Sequence, residues 1–314
     1  MKSSIVYADS FVGSFKTQKY IEPTKLSKQE VFGELDRKTA YVITGDTDSI
    51  FLTYEDILDK KLSEDEKGDK VRKFSDEIQE FLNKQIVEKM VTNHNVNLAS
   101  NRLVLKNELV IKRGIFLKKK RYAIYVISQE GNKTDEIVSM GLDTKRSDYP
   151  SFTKDCLKEL LDLILKSEKF SLTQVKKFID SKEAEFIQKA RDGDKTVARP
   201  ASFTKDIEDY KKIPQNVIGF LNWNALEYHA FAHGSKGYLF KVAGLNNETA
   251  TKEVLDKFDR EFLSKNKKLE VICLPDEETC LPKYYNIDVK EMVKFSWGDR
   301  TKLLLEPLIG KNTV

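Results

Sequence analysis

Residues 40–54 read AYVITGDTDSIFLTY and set Asp46 and Asp48 one residue apart between two short runs of Val, Ile, Phe, Leu and Tyr. β-Branched and aromatic residues on either side of Gly45-Asp46-Thr47-Asp48 predict strand, turn, strand, because Gly and Asp supply turn chemistry that their neighbours lack. What needs explaining is why two ionised groups stand at the crest of such a hairpin. Each carboxylate raises the other's cost of ionisation unless a cation neutralises the pair. Carboxylate oxygens suit Mg²⁺, a hard ion that prefers oxygen ligands beside phosphates. Turn chemistry alone also explains an Asp-rich turn facing water, so the spacing leaves both readings open.

Working outward, residues 55–68 form a charged connector, and Val71, Phe74, Ile78, Phe81, Leu82, Ile86 and Met90 fall at helical spacing. They predict one long amphipathic helix over 69–91. RLVLKNELVIK (102–112), KRYAIYVISQ (120–129) and EIVSMGL (136–142) predict three further strands, the last two separated by the turn-rich EGNKTD. With the hairpin they make an antiparallel sheet backed by the helix. After Pro150 the pattern changes. SFTKDCLKELLDLILKSE and SLTQVKKFIDSKEAEFIQKARDG read as helices, the second ending at Gly193. KGYLFKVAGL, KLEVICL and KEMVKFSW fit short strands or helix starts. Upstream, KLSKQE (25–30) fits a short helix, and the rest of the first 38 residues stays unassigned.

A chain of 314 residues has room for two domains with a core each. The expected division is an amino-terminal segment 1–38, a sheet domain 39–147 and a mainly helical domain 148–314, an α+β protein. Apolar residues at 40% and charged ones at 33% exclude a disordered chain. A net charge of +4 decides little, so clustering must. Lys112, Arg113, Lys118, Lys119, Lys120 and Arg121 come without an intervening acid, interleaved with Ile115, Phe116 and Leu117 and followed by Tyr122 and Tyr125. That pattern fits contact with a nucleic-acid backbone. A charged sheet edge that discourages aggregation reads the same way.

Cys156, Cys273 and Cys280 lack metal-finger spacing and suggest a reducing compartment. No run of about 18 apolar residues and no signal-peptide core are present, so a soluble, cytoplasmic protein without membrane attachment is expected. His229-x-x-x-His233 lacks the Glu that zinc proteases place beside the first His.

GDTDSIF (45–51) resembles the third palm motif of family B DNA polymerases, usually Tyr-Gly-Asp-Thr-Asp-Ser, and KKRYA (119–123) resembles that family's Lys-Lys-Arg-Tyr signature. ELVIKRGIFLKKKRYA (108–123) is similar to the family's run of a Glu, a Lys-Arg pair and then the signature. MGLDTKRSDYP (140–150) looks like the strand leaving the palm for the thumb, and IPQNVIGFLNWNAL (213–226) is similar to a thumb segment of bacteriophage members.

The resemblance implies a partial palm at 39–147 and a thumb at 148–314. It implies that Asp48 coordinates metal with Asp46 as its accompanying acid and Glu108 nearby, two Mg²⁺ ions acting with a bound dNTP. Lys112, Lys119, Lys120, Arg121, Tyr122, Lys145 and Arg146 are implied contacts to primer-template DNA.

Thr44 departs from the family's usual Tyr and Lys118 from a common Gly. Nothing resembles the first palm motif, the fingers helix or an exonuclease domain. The expectation is therefore the carboxy-terminal part of a split or truncated polymerase, completed by a chain carrying those parts and inactive alone. The alternative is a non-catalytic primer-template-binding remnant or accessory subunit. A sliding clamp is a further partner that the resemblance leaves open, and the setting would be host cytoplasm or a phage replication compartment. VYADSFVGS (6–14) begins like a second Tyr-x-Asp motif, which either a gene-rearrangement scar or coincidence explains.

Overall fold

A computed structural model of the chain describes residues 5–9, 42–46, 49–54, 57–95, 97–102, 104–118, 120–142, 147–167, 171–227 and 231–298. The KLSKQE segment lies outside them. Two compact units divide at Gly141 and Leu142.

In the first unit the connector does more than its composition suggests. Ser63 caps α1 (Glu64–Phe81) in a reciprocal box, its hydroxyl accepting from Glu66 N while Glu66 Oε2 accepts from Ser63 N at 2.8 Å. Glu64, Asp65 and Glu66 fill the first turn, where negative charge complements the exposed N–H groups. The helix therefore begins at Glu64 rather than 69. It runs on through a wider π-type turn, Leu82–Val87, into α2 (Glu88–Asn93).

Six strands form one sheet in the order β2-β3-β1-β4-β5-β6: β1 (Ile5–Asp9), β2 (Val42–Asp46), β3 (Ser49–Thr53), β4 (Lys106–Lys118), β5 (Arg121–Gln129) and β6 (Asn132–Met140). Every neighbouring pair is antiparallel. The hairpin, three later strands and the backing helix are where the sequence reading puts them, but β4 spans Lys106–Lys118 rather than 102–112, so it runs through Arg113 and Phe116 to the basic turn. The strand β1 was not foreseen, and it lies between β3 and β4. β6 also starts earlier than expected, because Glu130 and Gly131 alone make the turn, at φ of 48° and 83°.

Each face of this sheet has its own core. Tyr54, Leu58, Val71 and Val110 pack with Phe74, Ile78 and Ile127 between sheet and α1. On the other face Phe51, Ile111, Ile124 and Val126 pack with Leu109, Phe116, Tyr122 and Val138.

The second unit holds α3 (Ser151–Leu165) and α4 (Leu172–Arg191), the latter capped by a Ser171–Gln174 box and stopped at Gly193, whose φ is 73°. Beside these helices is a four-stranded sheet of β7 (Arg199–Ser202), β8 (Lys236–Leu245), β9 (Val271–Pro275) and β10 (Tyr285–Ile287). The first half of β8 pairs with β7 and β9, its second half with β10. Helix α5 (Gln215–Leu226) lies so close to this sheet that a methyl group at Gly219 would crowd Leu239 and Cys273. KGYLFKVAGL and most of KLEVICL are strands, whereas KEMVKFSW is helical, supplying most of α7 (Val289–Val293) and the wider turn after it. Between β8 and β9 runs α6 (Lys252–Phe258). Among the described residues no helix is long and apolar enough to cross a membrane.

Candidate functional site

The predicted site residues that the structure describes all fall in the first unit. Asp46 ends β2 opposite Ser49, which opens β3 and is buried. Thr47 and Asp48, the turn itself, lie outside the described residues, as do Lys119, Lys145 and Arg146. Strand β1 brings Asp9 to the same end of the sheet, since Ala8 pairs with Ile50 and Asp9 with Lys106. The Tyr-x-Asp of VYAD was the signal for that acid, too short to be decisive alone.

Glu108 is set by a bulge. Tyr7 pairs with Leu109 and Ala8 with Asn107, so Glu108 is the extra residue on β4 at the β1 seam. Its carbonyl accepts from Glu130 N at 2.7 Å. With Arg72 and Asp76 of α1, Asn107, Ser128 and Glu130 it lines a cavity of about 230 Å³. This acid thus shares its surroundings with the backing helix. Asn83 fixes how the chain enters β4, its amide exchanging two 2.8 Å bonds with the backbone of Leu105.

Lys112 also turns to the helix. Its Nζ lies 3.4 Å from Glu64 Oε2, and Lys67 donates to the other oxygen of that carboxylate at 3.0 Å. Burial works against the Glu64 charge, but the two lysines outweigh it and hold the carboxyl below its ordinary range. Arg113, next in the chain, is buried.

The basic turn is built differently. Lys118 pairs with Arg121, and Lys120 completes the turn with φ at 61°, a conformation few side-chain-bearing residues adopt. The Lys120 residue is exposed, Arg121 is half-buried, and Tyr122 packs edge-on against Phe51 at 5.2 Å and beside Phe116 at 5.6 Å. Gly141, with φ at 64°, closes the turn from behind: a Cβ there would collide with the carbonyl oxygen of Lys120.

These contacts require a bent sheet. Through Tyr7, Phe51 stands in the same row as Leu109, and a flat β4 would carry Phe116 roughly 20 Å farther along at about 3.3 Å per residue. Register shifts between Val110 and Arg113 bend the strand. The distal part of the β4–β5 ribbon curls back, bringing Phe116 to 5.4 Å from Phe51. The Asp46–Ser49 end of the hairpin and the Lys118–Arg121 pair stand toward opposite ends of β4, and this curl returns Tyr122 to β3.

The described residues include no group of three His, Cys, Asp or Glu side chains placed to hold a metal ion. The donors available at the hairpin are carboxylates, which suit Mg²⁺ chemically. A family model described as DNA polymerase family B matches residues 5–222, from the first residue of β1 into α5. No curated protein matches the chain.

Proposed function

Because the chain belongs to DNA polymerase family B, we propose that it is the palm and thumb portion of a bacteriophage-type polymerase, 39–147 and 148–314, completed by a second chain that carries exonuclease, fingers and the first palm motif. Membership brings DNA polymerase-type nucleotidyl transfer, with binding of primer-template DNA and a dNTP. Asp46 and Asp48 would hold Mg²⁺, which when bound supplies charge neutralisation of the triphosphate and acidification of the primer's 3′ hydroxyl. The chain's own task is placement. Lys120 and Arg121 neutralise backbone phosphates, Tyr122 fixes the ribbon that bears them, and Lys119, Lys145 and Arg146 are further contacts that this reading assigns to the duplex.

The observation that carries this reading is the curl of β4–β5, which seats Tyr122 on Phe51, close in sequence to Asp46 and Asp48. A duplex-binding remnant is the second reading, supported by Glu108 sharing its cavity with Arg72 and Asp76 on the helix side. Both readings require that the chain bind DNA. Titration of primer-template at several salt concentrations should show affinity falling steeply with salt, weakened by Lys120→Ala and Arg121→Ala. No binding at low salt would contradict both, and an unchanged affinity in both variants would remove the basic turn from the interface.

A further inference from the structure

The six-stranded sheet consists of two pieces that do not pair with each other directly. One is the hairpin β2–β3, the other the meander β4–β5–β6, and β3 and β4 do not pair with each other. Only β1 lies between them, antiparallel to β3 over Ile5–Ala8 and to β4 over Ile5–Asp9. We propose that residues 5–9 form a clasp strand occupying a strand-acceptor slot between β3 and β4, and that this slot also takes a separate peptide of the same sequence. The inference goes beyond nucleotidyl transfer and does not rest on it.

Three features support the clasp. Short turns set the register of the other strands: Asp46 pairs with Ser49, Lys118 with Arg121 and Gln129 with Asn132. Residues 10–41 stand between β1 and β2, so the register of β1 comes from pairing rather than from a tight turn. Ile, Val and Tyr, three of the five residues in IVYAD, favour the pleated conformation. Removing the strand would leave two facing edges of unpaired N–H and C=O groups in the middle of the sheet, the arrangement that peptide strands recognise by backbone bonding. The same strand sets the bulge at Glu108 and carries the acid-bearing hairpin to the ribbon of Lys120 and Tyr122. The clasp is thus a positioning element for both.

Cross-linking tests its place. Ile5 and Thr53 pair directly, and opposed residues in an antiparallel ladder stand about 4.5–5.5 Å apart at Cα, within disulfide reach. In the full chain with Cys280→Ser, Ile5→Cys with Thr53→Cys should oxidise to a cross-link, while Ile5→Cys with Ile50→Cys, out of register, should not. Failure of the first pair, or equal reaction of both, would overturn the clasp.

Hydrogen exchange tests the slot. Tyr7→Pro in the full chain should lower protection of β3 and β4 amides at least about tenfold while β8 and β9 hold theirs. Removing residues 1–9 should do the same, and added peptide SIVYADS should restore protection whereas its Tyr7→Pro form should not. Unchanged protection in Tyr7→Pro, or no rescue by the peptide in a truncated chain whose β8 and β9 stay protected, would refute the slot.

Discussion

Gly141 combines a φ of 64° with a hydrogen where any other residue would drive a carbon into the Lys120 carbonyl. Gly141→Ala therefore carries both backbone strain and a collision, and should cost about 1 kcal/mol or more in urea unfolding. It should also weaken DNA binding by displacing the turn. The lysines divide by where they stand, Lys120 at an exposed turn and Lys112 against α1. Lys120→Ala should lower the slope of log affinity against log salt by about 1. Lys112→Ala should leave that slope unchanged, because Lys112 is engaged with Glu64 on α1. The Glu64 carboxyl sits below its ordinary 4.5 in the folded chain. Its contribution to stability is thus present above the unfolded value and is lost as pH falls through the lower folded value. Glu64→Gln should flatten that part of the acid unfolding profile, measured by urea midpoints across pH.

At the scale of elements, the aromatic contact between β3 and the β4–β5 ribbon holds the curl. Phe51 is 3% exposed and meets both Phe116 and Tyr122. Phe51→Ala should destabilise by about 3–5 kcal/mol and weaken DNA binding with it, read by unfolding and by titration. Tyr122→Phe, which keeps the ring, should retain most of the stability. The hairpin and the junction of β5 with β6 were legible because β-branched and aromatic runs end there at Gly, Asp and Asn, whereas β4 ends at a run of lysines that carries no turn signal. The start of α1 was less so, since Ser63 and Glu66 form their box inside what composition reads as a polar connector. The curl was invisible beforehand: bulges near Ile111 and at Glu108 depend on the register of partners distant in sequence. β1 was hidden for the same reason, five residues without an adjacent strand to predict a pairing.

For the whole molecule, two units and one family account for the chain through residue 222, the family match crossing from the sheet unit into the helix-rich one. The candidate site was legible as residue types and order, in GDTDS and KKRY. Its assembly was not, because Lys112 and Glu108 owe their surroundings to α1 while Tyr122 owes its own to the bend of β4. The proposal that this chain supplies the metal-holding acids and the duplex-gripping ribbon of a two-chain polymerase is tested most directly by primer extension. The chain is combined with a complementing chain carrying exonuclease, fingers and the first palm motif, on a primed template with Mg²⁺ and dNTPs. Extension should require both chains and the metal, and Asp48→Asn should slow it by about a hundredfold or more, the scale of losing one preorganised charge stabiliser. Extension at an undiminished rate with Asn at position 48 would contradict the account.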